Sequence, residues 1–200
     1  MDNSLPIKYR LKGLGLRSRG RKTFVTALVV FTLCGLVGTG MADRRERHRE
    51  RRHEKHEEEA RDRLPPVAHP AYEETCGACH FAYQPGLLPS GSWKKILAGL
   101  REHFGEAVEL APSARDDILG YLTANAAENS PSKRSRKIMR SLGGRTPTRI
   151  TDIPCIRHEH HEIRSNVFER KSIGSMSNCS ACHRTADQGV YDDDHVVIPE

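Results

Sequence analysis

The sequence predicts a mainly α-helical, loop-rich chain of two small lobes, preceded by an N-terminal export segment and a charged spacer. Three observations predict it. The pattern C-x-x-C-H occurs twice, at Cys76-Gly77-Ala78-Cys79-His80 and at Cys179-Ser180-Ala181-Cys182-His183. Between the two copies, apolar residues recur at helical spacing and are interrupted by Pro, Gly and Ser. Finally, apolar residues are only 36% of the 200 and aromatics 6%, thin for an ordinary core, so a large apolar group from outside the chain has room to fill the centre.

The motif names that group. Two thiols separated by two residues add across the two vinyl groups of one porphyrin. The His that follows at once supplies an imidazole nitrogen to the iron. On this reading Cys76, Cys79, Cys179 and Cys182 anchor two c-type haems, and His80 and His183 are their proximal ligands. A lone C-x-x-C also serves as a redox disulfide or half a zinc site, and these remain rivals for the same thiols. The repeat of the whole five-residue pattern favours haem. Of the other cysteines, Cys34 lies in an apolar run and Cys155 reads as a small packing residue.

The net charge of +6 does not point to nucleic acid. Residues 1–22 hold seven Lys or Arg against one acid, which accounts for the whole surplus. Those cations precede an uncharged run from Thr23 to Ala42. Positive charge ahead of an apolar segment keeps that end in the cytoplasm and exports the chain beyond the segment. Residues 1–42 therefore read as a cleaved signal peptide or an uncleaved membrane anchor. Either way, in a bacterium, the rest faces the periplasm, the side on which haem is attached to protein. Residues 43–66 read as a solvated spacer, disordered or weakly helical, in which His48, His53 and His56 are solvated rather than ligating.

The remainder, 67–200, is divided into a first haem lobe (67–130), a linker (131–149) and a second haem lobe (150–200). After the first motif, Phe81 to Pro89 is an apolar, Pro-rich loop expected to lie over the haem as a lid. A helix capped by Ser90 or Ser92 is expected next, with Trp93, Ile96, Leu97, Leu100 and Phe104 on one face and Gly105 at its end. His103 falls on the same face, which makes it a candidate distal ligand to iron. Ser113 and Asp116 suggest a capping box for a further helix with Ile118, Leu119, Leu122 and Ala126 buried.

The linker is rich in Ser, Pro, Gly and cations, a composition that reads as a surface connection. Three imidazoles, His158, His160 and His161, crowd together before the second motif, and one of them is expected as the sixth ligand of the second haem. Asp192-Asp193-Asp194 reads as a solvated turn, and His195 is a further but weaker ligand candidate.

From Tyr72 to Pro199 the chain resembles the small bacterial dihaem cytochrome c family. The resemblance is carried by Glu74 to Tyr83, Pro85 to Pro89, Ser92-Trp93 and His103-Phe104-Gly105. It continues through Arg149-Ile150-Thr151, Glu159 to Ile163, Asn178 to His183 and Ile198-Pro199. It implies a c-type cytochrome fold with two low-spin haems, each held by two His, and matches His103 and His160 to the distal positions. It gives no role to His69, and His158 and His161 stand beside the matched His160. It further implies an electron carrier rather than an enzyme, delivering electrons to a small oxygen-binding monohaem cytochrome c, with a membrane cytochrome b as a further redox partner. The rival is a dihaem peroxidase or reductase, which needs one open iron and acid–base groups beside it.

Overall fold

The computed structural model describes residues 46–200. The expected signal or anchor over 1–42 lies outside the described residues. Among the described residues no helix is long and apolar enough to cross a membrane. The chain divides into two compact units, Met1–Arg52 and His53–Glu200. In the first, the described residues 46–52 are helical and exposed.

The second unit is helical throughout, with no strand beyond two isolated β-bridges. Its first helix, α1, runs over residues 53–62. It has no apolar face, and charge holds it in place instead. Lys55 pairs with Asp194, Glu58 with Lys133 at 2.9 Å and Asp62 with Arg134 at 2.6 Å. Exposed pairs of this kind stabilise little. Firmer anchorage comes just after α1, where Leu64 is fully buried and its N–H donates to the Gly189 carbonyl.

Seven further helices lie beyond it: α2 (Pro70–Cys76), α3 (Ser90–Ala98), α4 (Pro112–Ala124), α5 (Lys133–Leu142), α6 (Pro154–Glu159), α7 (Ser165–Phe168) and α8 (Cys179–Cys182). One apolar cluster draws on residues from Leu64 to Ile156, together with Tyr191. Leu64, Leu88, Trp93, Leu97, Ile118, Leu122, Ile138, Leu142 and Ile153 are its buried centre. The segments expected as two lobes thus share a single core.

Several local expectations need correction. The stretch at 131–149 is not a surface connection. Ser132 caps α5 by accepting from the Arg134 N–H, and Gly143 ends it in the left-handed conformation. Ser135, Ile138 and Leu142 lie three and four residues apart and are buried. That stripe is narrow, and the cations around it masked its period.

In the loop 81–89 the 3-10 turn at Pro85–Leu87 is buried, and Leu87 and Leu88 belong to the core. Trp93 fixes the turn by donating from Nε1 to the Pro85 carbonyl at 2.9 Å. Helix α4 does not carry a capping box. Its N-cap is Ala111, and Pro112 at the first helical position has no N–H to satisfy.

Helix α3 starts at Ser90, but neither Ser90 nor Ser92 caps it. Pro89 is the N-cap residue, and the Glu128 carboxylate accepts from the Ser90 N–H at 3.0 Å and from its hydroxyl. Burial alone would push the Glu128 carboxyl up, but together the hydrogen bonds from Ser90 hold it below the ordinary value. A depressed folded-state value adds stability above the ordinary range near 4.5, lost as pH falls through the lower folded value. Glu128→Ala is accordingly expected to cost about 1 kcal/mol at neutral pH. The difference from the parent should shrink in chemical denaturation below about pH 4.

Candidate haem sites

The first motif begins at the end of α2. His69 caps this helix: its Nδ1 accepts from the Tyr72 N–H at 3.2 Å while Nε2 faces Asp117 at 3.2 Å. The ring also stacks on Tyr121. With both nitrogens in contact, His69 fixes the start of the helix that carries Cys76.

His80 comes directly after Cys79 and aims its Nδ1 at the Phe81 carbonyl, 2.8 Å away. That contact holds the proton on Nδ1 and leaves Nε2 bare, the arrangement a ligating imidazole needs. Facing it is His103, with ring centres 6.1 Å apart and planes inclined by 20°.

His103 does not sit on a helix, contrary to its spacing. Helix α3 stops at Ala98, a 3-10 turn covers Leu100–Glu102, and His103 then exchanges both backbone hydrogen bonds with Glu106. The two residues between them, Phe104 and Gly105, have φ of 58° and 102°. A two-residue turn with both centres left-handed reverses the chain sharply and swings His103 toward His80. Among the described residues Phe104 is the non-glycine residue with positive φ, and Arg149 lies 4.0 Å over its ring.

The second site repeats the plan. Helix α8 carries Cys179 and Cys182, and His183 closes it with its N–H on the Cys179 carbonyl. The partner is His160, the residue that terminates α6, with ring centres 6.0 Å apart and planes inclined by 67°. Its Nδ1 meets the Ile156 carbonyl at 2.8 Å, again leaving Nε2 bare. Glu159 beside it is pinned by Arg134 and Lys137 from α5. The flanking His158 and His161 stack on each other, 5.1 Å apart, on the exposed side. His195 is bound to Asp192 at 2.6 Å.

These distances suit iron. A metal–nitrogen bond of about 2 Å on each side, plus about 1 Å from nitrogen to ring centre, separates two axial imidazoles by about 6 Å. Burial, and then the imidazole opposite, push His103 and His183 below the ordinary value, which favours the neutral form that binds metal. The buried Nδ1 of His183 has no protein partner. Burial also raises the thiols, Cys179 to about 11 and Cys76 and Cys182 in the same direction. A zinc site would have to work against that shift, since it takes thiolate.

Two tyrosines pack on the motif imidazoles. Tyr83 lies 5.4 Å from His80, and Tyr191 lies 5.4 Å from His183. Burial keeps both hydroxyls protonated, pushing Tyr83 up to about 12 and Tyr191 higher still. Between them is Gln84, fully buried. Sequence reasoning missed the trio; a lone Gln inside an apolar, Pro-rich run was the available signal.

The family model described as dihaem cytochrome c matches residues 72–191. A diheme cytochrome c structure from Rhodobacter sphaeroides is 38% identical, with a TM-score of 0.57, covering 64% of this chain and all of that one. A diheme cytochrome type c from Shewanella baltica is 34% identical, with a TM-score of 0.53, covering 64% of this chain and 91% of that one. No curated protein matches the chain. With two C-x-x-C-H motifs, the matched segment spanning more than half its length and an expected complement of two covalent haem c groups, the chain belongs to the dihaem cytochrome c family.

Proposed function

We propose that the protein is a periplasmic electron carrier whose two haems are each held between two imidazoles, His80 with His103 and His183 with His160. Cys76, Cys79, Cys179 and Cys182 form the thioether bonds. The observation that carries this reading is the pair of facing imidazoles at 6.1 and 6.0 Å. With both axial positions taken by protein, neither iron offers a place for substrate, so the chain's chemistry is to gain and lose electrons. The facing pairs therefore favour a carrier over a peroxidase or reductase.

The proposal extends to the chain plan and its partners. Residues 1–42 direct export or anchor the chain and 67–200 carry the haems; of the spacer expected over 43–66, residues 53–66 belong to the haem-bearing unit, with Leu64 in its core. Redox partners of the kind the family resemblance implies, a small oxygen-binding monohaem cytochrome c and a membrane cytochrome b, would exchange electrons with it.

The test is made on the exported holoprotein. Two haems should stay attached after acid unfolding, and the native ferrous form should be low-spin and should not bind carbon monoxide. A high-spin band, or carbon monoxide bound at either iron, would favour the enzyme reading. Within the His cluster, His160→Ala should open one of the two irons to carbon monoxide. His158→Ala and His161→Ala should leave both closed, because those rings are exposed and stack on each other.

A further inference from the structure

Each motif imidazole is packed by a tyrosine whose hydroxyl reaches into the segment that carries the other motif. Tyr83 packs on His80 and donates to the Ser177 carbonyl at 2.6 Å. That carbonyl also accepts from the Cys179 N–H at 3.0 Å. Tyr191 packs on His183 and donates to Oε1 of Gln84 at 2.6 Å. Gln84 is the residue next to Tyr83 and donates from Nε2 to the Ala186 carbonyl at 2.5 Å. Ala186 in turn donates to the His183 carbonyl at 3.0 Å. The two arms cross, so every polar group of the trio is bonded across the join between the motifs.

We propose that Tyr83, Gln84 and Tyr191 form the internal route by which the two haem sites exchange electrons, linking the His80 side of one to the His183 side of the other. The inference rests on His80 and His183 being iron ligands, as proposed above. Electronic coupling decays more slowly along bonds and hydrogen bonds than across gaps between atoms. A buried, fully satisfied network also has little to reorganise when charge passes. With haem iron held by His80 at one site and by His183 at the other, the electron given up at one would be the electron that reduces the other. The tyrosine hydroxyls keep their protons, so nothing else is consumed or released.

Packing alone does not require this arrangement. Leu, Met or Phe at 84 and 191 would fill the same space without three buried polar atoms that must all be paired. The crossing is also selective. Tyr121 belongs to the same core yet bonds only to the Ala68 N–H, and it touches neither motif imidazole.

The experiment uses holoprotein with both haems in place. A light flash delivers one electron to the fully oxidised protein, and its redistribution between the two haems is followed in time. Tyr83→Phe with Tyr191→Phe keeps both rings and removes both hydroxyls. Redistribution is expected to slow by about tenfold or more, with both haems still attached and low-spin. Tyr121→Phe, which loses a comparable hydrogen bond, should match the parent protein. A rate within about twofold of the parent in the double variant overturns the proposal. Should the double variant fail to hold both haems, Tyr191→Phe alone is held to the same criterion. The parent's own spectrum keeps the two readings apart: a parent that is not low-spin at both irons defeats the ligand assignment, whereas an unaffected rate in low-spin variants defeats only the route.

Discussion

His103→Ala should turn one of the two haems from a closed into an open site while leaving the other untouched. The imidazole of His103 is held opposite His80 by a reversal at Phe104 and Gly105, not by a helix. The reversal depends on the backbone bonds between His103 and Glu106, at 2.7 and 3.2 Å, and these survive the loss of the side chain. The fold should therefore persist and the ligand alone should go. The ferrous variant is expected to bind one equivalent of carbon monoxide per chain, where the parent binds none. Axial ligand identity moves haem potentials over a range of about 0.8 V, so a shift on the order of 100 mV at that haem is expected. It should be upward, because a lost imidazole no longer stabilises the ferric state. Added free imidazole should enter the vacated space and restore the low-spin spectrum. Failure of that rescue, with carbon monoxide still excluded, would show that His103 is not the ligand.

Gly189→Ala should be the most damaging single-methyl change among the described glycines. Gly189 sits at φ +74°, where a side chain is strained by about 1–2 kcal/mol. A Cβ there would also stand 2.0 Å from the Leu64 carbonyl oxygen, a backbone atom with nowhere to move. Leu64 is itself fully buried and donates to the Gly189 carbonyl at 2.9 Å, so relief on one side breaks the contact on the other. A loss of about 3 kcal/mol or more is expected, read as a fall in melting temperature of roughly 10 °C. Gly174→Ala is the control. Its φ is +82°, but nothing lies within 4 Å of the added methyl, so only the backbone strain should be felt. Equal losses at the two positions would rule out the clash as the cause. Gly189 also lies between His183 and Tyr191, so Gly189→Ala should disturb the second haem site along with the fold.

Much of the site was legible in the sequence, and the rest was not for identifiable reasons. The motif residues needed no fold to be read, because covalent attachment fixes their spacing. His103 was singled out on a helical spacing that the structure does not have: the apolar period through Leu100 and Phe104 suggested a helix, whereas Gly99 had already ended it. A left-handed residue after the His is a local choice that apolar periodicity cannot register. Helix α5 escaped because Ser135, Ile138 and Leu142 form a one-residue-wide stripe among cations that composition assigns to solvent. The cap of α3 comes from Glu128, 38 residues away, and no local pattern encodes a partner at that distance. The same holds for Tyr191 and Gln84, which are 107 residues apart and meet only through the shared core.

The two imidazole pairs differ in one respect that bears on how the irons would look to a magnetic probe. In one pair the ring planes are 20° apart, in the other 67°. Near-parallel rings donate into the same iron d orbital and split it from its neighbour, whereas crossed rings donate into both and leave them close in energy. With those pairs on the two irons, electron paramagnetic resonance of the ferric protein should resolve two low-spin species, one rhombic and one strongly axial. A chain with two identical attachment motifs would then hold two irons that are electronically unlike, and the difference would arise from how a turn and a helix end each orient one ring.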